Sequence, residues 1–333
     1  MRINVISTGS HTTDDILTNE DLSKIVDTND EWIVERTGIK KRHISKKMTT
    51  EELAYEACKK ALNKIDIDKN DIGLIIFASV SSDTTVPSSS FTISGMLGIE
   101  NAVCFDLNAA CSGFIYSLSV ARDVMTGMRK KYAIVIGAEK LTKHVDWEDR
   151  STCVLFGDAA GCAILENTDE VNPITLPHKR LNIVDTLLGG KYDSKKYLSI
   201  KSNDSVTDDE PDYIKMNGRQ IYKFATDIGV KIIDELLDKA KITKDEIELI
   251  VPHQANKRII DTISNKSNIP IDKWFVNLHE YGNTSSASVP LALDEALEEL
   301  EKKENVNDQD RYVLTFAFGG GLSYGGVLLK IVK

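Results

Sequence analysis

The chain has 333 residues, 41% of them hydrophobic, enough to bury a large core as one big domain or as two fused halves. No apolar run approaches the roughly 20 residues that cross a bilayer, and the opening "MRINVISTGS" reads as a short strand rather than a signal peptide. A formal charge of −10 argues against general nucleic-acid binding, and five cysteines with no C-x-x-C pair argue against a disulfide framework or a zinc site, so a cytoplasmic protein is expected, with no metal, nucleic-acid or membrane partner.

In chain order, "EELAYEACKKALNKIDIDKNDIGLIIFAS" from residue 51 reads as an amphipathic helix, a short polar link and a buried strand. "FDLNAACSGFIYSLSVA", residues 105–121, sets Cys111 among Ala, Ser and Gly and then runs into an apolar helix. From residue 229, "GVKIIDELLDKAKITKDEIELIVPHQ" repeats the helix, link and strand. Aligning "DIGLII" on "EIELIV" sets Leu74 over Leu249, and the same offset carries Cys111 onto Ser286 in "YGNTSSASVPLALDEAL". "YAIVIGAEK" pairs with "YVLTFAFGGG" after a slip of five residues, and "AAGCAILE" with "YGGVLLKIV". Two copies at this spacing predict a fused pseudo-dimer of α/β halves with mostly parallel sheets. The two equivalent buried helices should meet near the pseudo-twofold axis, one led by Cys111 and the other by Asn283.

A helix N-terminus offers unpaired N–H groups and a positive partial charge, which should draw a thiol there below its free pKa of about 8.5. Cys111 alone reads equally as such a nucleophile or as a small buried thiol. "LIVPHQAN" places His253 directly after an apolar strand, "LHEYGNTSSAS" places Asn283 in a turn ahead of a helix, and "FAFGGGLSYGG" offers backbone N–H groups as oxyanion donors. Each also reads as ordinary structure when taken singly.

The set "NAACSGF", "HQAN", "YGNTSSASVPLAL" and "FGGGLSYGG", with "DTNDEWIVERTGIKKRHIS" and "DRSTCVLFGDAAGCAIL" elsewhere, resembles the thiolase superfamily, and most closely the β-ketoacyl-acyl-carrier-protein synthase III family. The resemblance implies an α/β thiolase-like fold: two pseudo-twofold-related βαβαβαββ halves, 1–170 and 171–333, stacked as a five-layer αβαβα sandwich. It implies a decarboxylative condensation of an acyl-CoA primer with malonyl-acyl-carrier protein, initiating fatty acid synthesis in a homodimer, with no cofactor besides the coenzyme A thioester. Cys111, His253 and Asn283 would be catalytic, with the oxyanion hole at the N–H groups of Cys111 and Gly320. Trp32, Arg36, Arg150 and Asn256 would bind CoA, and Lys223, Lys257 and Arg258 would dock the acidic carrier protein.

Two departures stand out. Where the family usually carries Phe before Pro87, this chain has Val86, a smaller gate to the acyl pocket that should admit a longer or bulkier primer. The interval from Cys111 to His253 is longer than is usual for the family, and the excess falls around 187–213, a lid, a partner loop or a plain surface insertion. The alternative functions are an acyltransferase of specialised metabolism with a bulkier primer, and a catalytically silent scaffold paired with an active homologue.

Overall fold

The computed structural model describes residues 2–171, 174, 176, 179–201, 212–302 and 310–332. Among the described residues, thirteen strands run in chain order: β1 (Ile3–His11), β2 (Ile16–Thr18), β3 (Lys41–His43), β4 (Ile72–Ala78), β5 (Val103–Leu107), β6 (Tyr132–Lys140), β7 (Asp158–Asn167), β8 (Arg180–Gly190), β9 (Leu198–Ser199), β10 (Lys215–Met216), β11 (Ile247–Pro252), β12 (Tyr312–Gly319) and β13 (Ser323–Val332). The α-helices among them are α1 (Asn19–Leu22), α2 (Asp30–Thr37), α3 (Thr50–Asn63), α4 (Ser89–Leu97), α5 (Gly113–Gly127), α6 (Gly218–Ala240), α7 (Lys257–Ser267), α8 (Leu278–Tyr281) and α9 (Ser288–Glu301).

Alternation along the strands builds the layers. On β4, Leu74 and Ile76 face a core shared with α5 and α9, while Ile75 and Phe77 face a second core shared with α3. On β11 and β12, Leu249, Val251 and Val313 join the α5/α9 core, and Ile250, Leu314 and Phe316 join a third core with α6 and α7. The order is therefore helix, sheet, central helix pair, sheet, helix. Strands buried on both faces read as continuous apolar runs, as β4 does from Leu74 and β11 from Leu249.

The repeat is visible in the pairing register. Parallel β4–β6 matches Ile72 with Tyr132 and Leu74 with Ala133, with an irregularity between them; parallel β11–β12 matches Ile247 with Tyr312 and Leu249 with Val313, with the same irregularity. Antiparallel β6–β7 and β1–β7 are answered by β12–β13 and β8–β13. Three differences from the expected plan appear. The nine-stranded sheet is mostly antiparallel rather than mostly parallel: only β4–β5, β4–β6 and β11–β12 run parallel, because β7 and β13 return directly against β6 and β12 without a crossover helix. A short ladder, Asn4 to Asn182 and Val5 to Leu181, joins the halves into one nine-stranded sheet, ordered β11-β12-β13-β8-β1-β7-β6-β4-β5. The second half's counterpart of β5 shrinks to a single bridge between Ile250 and Trp274.

Around 187–213, residues 202–211 lie outside the described residues. The described part extends β8, bonds Lys191 and Leu322 to each other through their backbones, and supplies β9, which pairs antiparallel with β10 just beyond it, so it folds across the Gly320–Leu322 turn.

Candidate active site

Cys111 lies in the 3-10 turn Ala110–Ser112 that leads into α5, 6% exposed. Its twin turn, Ser285–Ala287, leads into α9. Both turns are shaped alike: Ala110 has φ 49° and Ser285 φ 48°, and each is preceded by an asparagine whose Oδ1 accepts from that residue's N–H. The bonds are 3.2 Å for Asn108 to Ala110 and 2.9 Å for Asn283 to Ser285. This asparagine turn substitutes for a backbone turn and tolerates the left-handed residue. Space above the Cys111 N–H depends on Gly319, because a Cβ there would lie 2.8 Å from that nitrogen.

His253 directly follows β11, its N–H donating to the Phe316 carbonyl at 2.8 Å. The ring stands edge-on to Phe318 at 5.5 Å, and Nδ1 is hydrogen-bonded to Ser288 Oγ at 2.5 Å. Burial lowers its pKa to about 3, so the imidazole is neutral. Asn283 donates its N–H to Leu155 O at 2.8 Å and accepts at its own carbonyl from Gly157 N at 3.2 Å. With Oδ1 already engaged, its amide nitrogen is the group available to a ligand.

The expectation of a depressed thiol pKa is overturned. Burial first, and the Glu139 charge to a lesser degree, push the Cys111 thiol up to about 12, against a lowering by the Ser285 hydroxyl. The helix N-terminus is in place, but a thiolate cut off from water costs more than the dipole returns.

Cys111, His253, Asn283, Tyr222, Asn256 and Phe318 line a cavity of about 100 Å³. On the other side of the thiol, Cys111, Thr85, Tyr116, Ser285 and Gly320 line a cleft of about 950 Å³. Cys111, Phe156 and Leu198 belong to both walls, so the thiol stands where the two spaces meet. Gly320 is thereby brought to the site as the sequence suggested, and Leu198 places the insertion there too.

Trp32, Arg36, Arg150 and Asn256 come together. The guanidinium carbons of Arg36 and Arg150 lie 5.6 and 5.0 Å from the centroid of the half-buried Trp32 ring, and Asn256 Nδ2 donates to Arg36 O. Lys223, Lys257 and Arg258 are exposed, but Lys257 is ion-paired with Asp261 at 2.7 Å. Val86 is 85% exposed on the loop whose Thr85 lines the large cleft. Residues that sequence reasoning missed include Ser288 behind His253 and the buried Glu139 beside Ser286. A single carboxylate ending the apolar strand "YAIVIGAEK" was the available signal for the latter.

A thiol shut away from bulk water, facing a neutral imidazole and an amide, suits storage of an acyl group and its transfer to carbon. Fold and site are those of a thiolase-type condensing enzyme. Residues 105–178 match the family model 3-oxoacyl-[acyl-carrier-protein (ACP)] synthase III, and residues 237–331 match the model of its C-terminal part. β-Ketoacyl-[acyl-carrier-protein] synthase III of Acholeplasma laidlawii is 43% identical over 331 residues, covering 99% of this chain and 98% of that protein. The synthase III of Clostridium botulinum (strain Loch Maree) is 44% identical over 329 residues, 98% of each. The crystal structure of 3-oxoacyl-[acyl-carrier-protein] synthase III from Aquifex aeolicus superposes with a TM-score of 0.88 at 40% identity, covering 98% of this chain and 99% of that one. The chain belongs to the β-ketoacyl-acyl-carrier-protein synthase III family, and is a condensing acyltransferase of fatty acid synthesis.

Proposed function

We propose that Cys111, His253 and Asn283 carry out a decarboxylative condensation of an acyl-CoA primer with malonyl-acyl-carrier protein. The carrying observation is the placement of the Cys111 thiol between the two cavities, with His253 and Asn283 on one side. In the first half-reaction the sulfur attacks the acyl-CoA carbonyl, CoA leaves with the thiol's proton, and the N–H groups of Cys111 and Gly320 hold the carbonyl oxygen as its charge develops. In the second, malonyl-acyl-carrier protein loses CO₂, and the electron pair of the broken C–C bond becomes an enolate. Asn283 donates to its oxygen, and so does His253 when Ser288 bonds to Nδ1 and leaves the proton on Nε2. The carbanion attacks the acyl-Cys111 carbonyl, a C–C bond forms, and Cys111 leaves and is reprotonated. A neutral imidazole stabilises the enolate without protonating it, which the low His253 pKa favours. Thiol, imidazole, amide and backbone N–H groups supply every step, so no cofactor is assigned.

The Trp32, Arg36 and Arg150 stack with Asn256 is taken as the CoA site, since guanidinium and indole planes stack on a nucleobase. Lys223 and Arg258, exposed and without an ion pair among the described residues, are the stronger docking residues for an acidic carrier protein, and Lys257 the weaker. The large cleft and the small Val86 support primers bulkier than acetyl. We assign Cys111 to an N-terminal half, 1–170, and His253 and Asn283 to a C-terminal half, 171–333. A homodimer in the cytoplasm is the state we propose; five free cysteines fit a reducing compartment, and no helix among the described residues is long and apolar enough to cross a membrane.

Intact mass after mixing with acetyl-, isobutyryl-, hexanoyl- and octanoyl-CoA tests the reading. An acyl adduct on wild type and none on Cys111→Ala is expected, followed by adduct loss and CO₂ release on adding malonyl-acyl-carrier protein. Absence of any adduct would overturn it, and loading by acetyl-CoA alone would overturn the primer expectation.

A further inference from the structure

The pseudo-twofold relation gives every catalytic position a twin. At the offset that sets Leu74 over Leu249, Cys111 maps onto Ser286, Asn283 onto Asn108 and His253 onto Ala78; across the five-residue slip, Gly319 maps onto Glu139. At the Cys111 turn, the missing side chain of Gly319 keeps the N–H open to a ligand oxygen. At the Ser286 turn, the matching place is filled from within. The Glu139 carboxylate is fully buried at the N-terminal side of α9, where a helix favours an anion. One oxygen accepts from Ser286 Oγ at 2.8 Å and Ser286 N at 3.4 Å. The other accepts from Ser79 Oγ at 3.1 Å, Val80 N at 3.1 Å and Ser81 Oγ at 2.5 Å. Ser286 Oγ also reaches the carbonyl of Ala78, the twin of His253.

Those donors sit on two segments that matter to the site. Ser286 ends the turn that begins at Asn283 and includes Ser285, and Val80 leads into the loop whose Ser82, Asp83 and Thr85 line the large cleft. We propose that Glu139 is a positioning residue for the condensation half-reaction: it occupies the vestigial twin of the active site and ties the 283–286 turn to the 79–81 turn, so that the Asn283 amide faces Cys111. The proposal rests on the assignment of Cys111 and Asn283 to catalysis. Glutamine is the discriminating replacement, because it keeps the shape but turns one acceptor into a donor. A serine hydroxyl can rotate away from that donor, whereas the N–H of Val80 or Ser286 cannot.

The two half-reactions separate a positioning role from a structural one, since acyl loading uses the Cys111 turn and enolate formation uses Asn283. Wild type, Glu139→Gln, Ser286→Ala and Asn283→Ala are loaded with acetyl-CoA and the adduct is counted by intact mass. Malonyl-acyl-carrier protein is then added and adduct loss is timed per loaded site, which cancels any difference in the folded fraction. For Glu139→Gln, loading should stay within about three-fold of wild type while condensation per loaded site falls about 10- to 100-fold, the scale of a misplaced catalytic group. Ser286→Ala should show the same split to a smaller degree, and decides the matter if Glu139→Gln fails to fold. Unchanged condensation per loaded site, or equal falls in both half-reactions, would overturn the positioning role. A wild type that takes no acyl group on Cys111 would instead overturn the catalytic assignment beneath it.

Discussion

Two buried titratable groups face each other across the site, and both are held in their neutral forms. For Cys111, the thiol at about 12 means that the thiolate fraction rises ten-fold per pH unit throughout the working range. Alkylation of Cys111 by iodoacetamide should therefore climb without a plateau from pH 6 to pH 9, followed by intact mass. A plateau near pH 8 would show that the helix N-terminus prevails over burial after all. For His253 the sign runs the other way along the pH axis. Its folded pKa of about 3 lies below the ordinary 6.5, so the unfolded chain binds the extra proton between those values. The stability that the neutral imidazole contributes is complete above pH 6.5 and is lost on acidification toward pH 3, at about 1.4 kcal/mol per pH unit within the window. His253→Gln should flatten the wild-type fall in denaturation midpoint between pH 6.5 and 4 by that one-proton slope; parallel profiles would mean that His253 is not held neutral.

At the scale of elements, β12 ends where Gly319 meets the Cys111 turn, and that junction tolerates no side chain. Gly319→Ala would drive a methyl group to 2.8 Å from Cys111 N and 3.2 Å from its Cβ. Acyl loading should fall about 100-fold, the usual loss when an oxyanion donor is removed, with circular dichroism unchanged. Wild-type loading would show that this N–H is not used. The strand β3 supplies a different kind of support. Arg42, fully buried, donates to Leu17 O and Asn19 Oδ1 from Nη1 and to Val154 O from Nη2, bracing the segment whose Leu155 carbonyl receives the Asn283 N–H. Arg42→Met should cost about 3 kcal/mol in urea unfolding, since it leaves those acceptors unpaired. These two cases also mark what a sequence carries. The Cys111 and Ser286 turns were legible because a single offset holds from β4 through to the helix that follows each turn. Glu139 was not, because the five-residue slip hides its opposition to Gly319. Arg42 left no mark because its partners are mostly carbonyl oxygens, which every residue has. The direction of the thiol's pKa shift was misjudged because burial is a property of the packed layers and not of residues 105–121. The length of the insertion could be counted, but its landing place beside Gly320 depends on backbone pairing between Lys191 and Leu322.

At the scale of the whole molecule, the two ends of the nine-stranded sheet are unlike. Outside β11 the Trp274 segment bridges to Ile250, and Phe275 N donates to the Ile250 carbonyl. Outside β5 no strand pairs among the described residues. The apolar side chains of β5, Val103, Phe105 and Leu107, are only half-buried there. On the neighbouring α4, held to β5 by Ser89 and Ser90 N–H bonds to Asp106, Phe91 is 55% and Met96 39% exposed, and Val86 stands free on the loop before it. An open edge flanked by exposed apolar residues invites aggregation unless a second strand covers it. In the proposed dimer, a twofold pairing of β5 with its copy would cover it symmetrically and close the assembly at two subunits. Light scattering behind size exclusion should give about twice the chain mass of 37.0 kDa for wild type and the single mass for Phe91→Asp. A wild-type mass of one chain would refute the proposed dimer. The monomeric variant should also lose primer selectivity while keeping its iodoacetamide reactivity. The loop carrying Thr85 and Val86 runs straight into α4, so the far wall of the large cleft would then face water, and a long acyl chain would gain nothing from entering it.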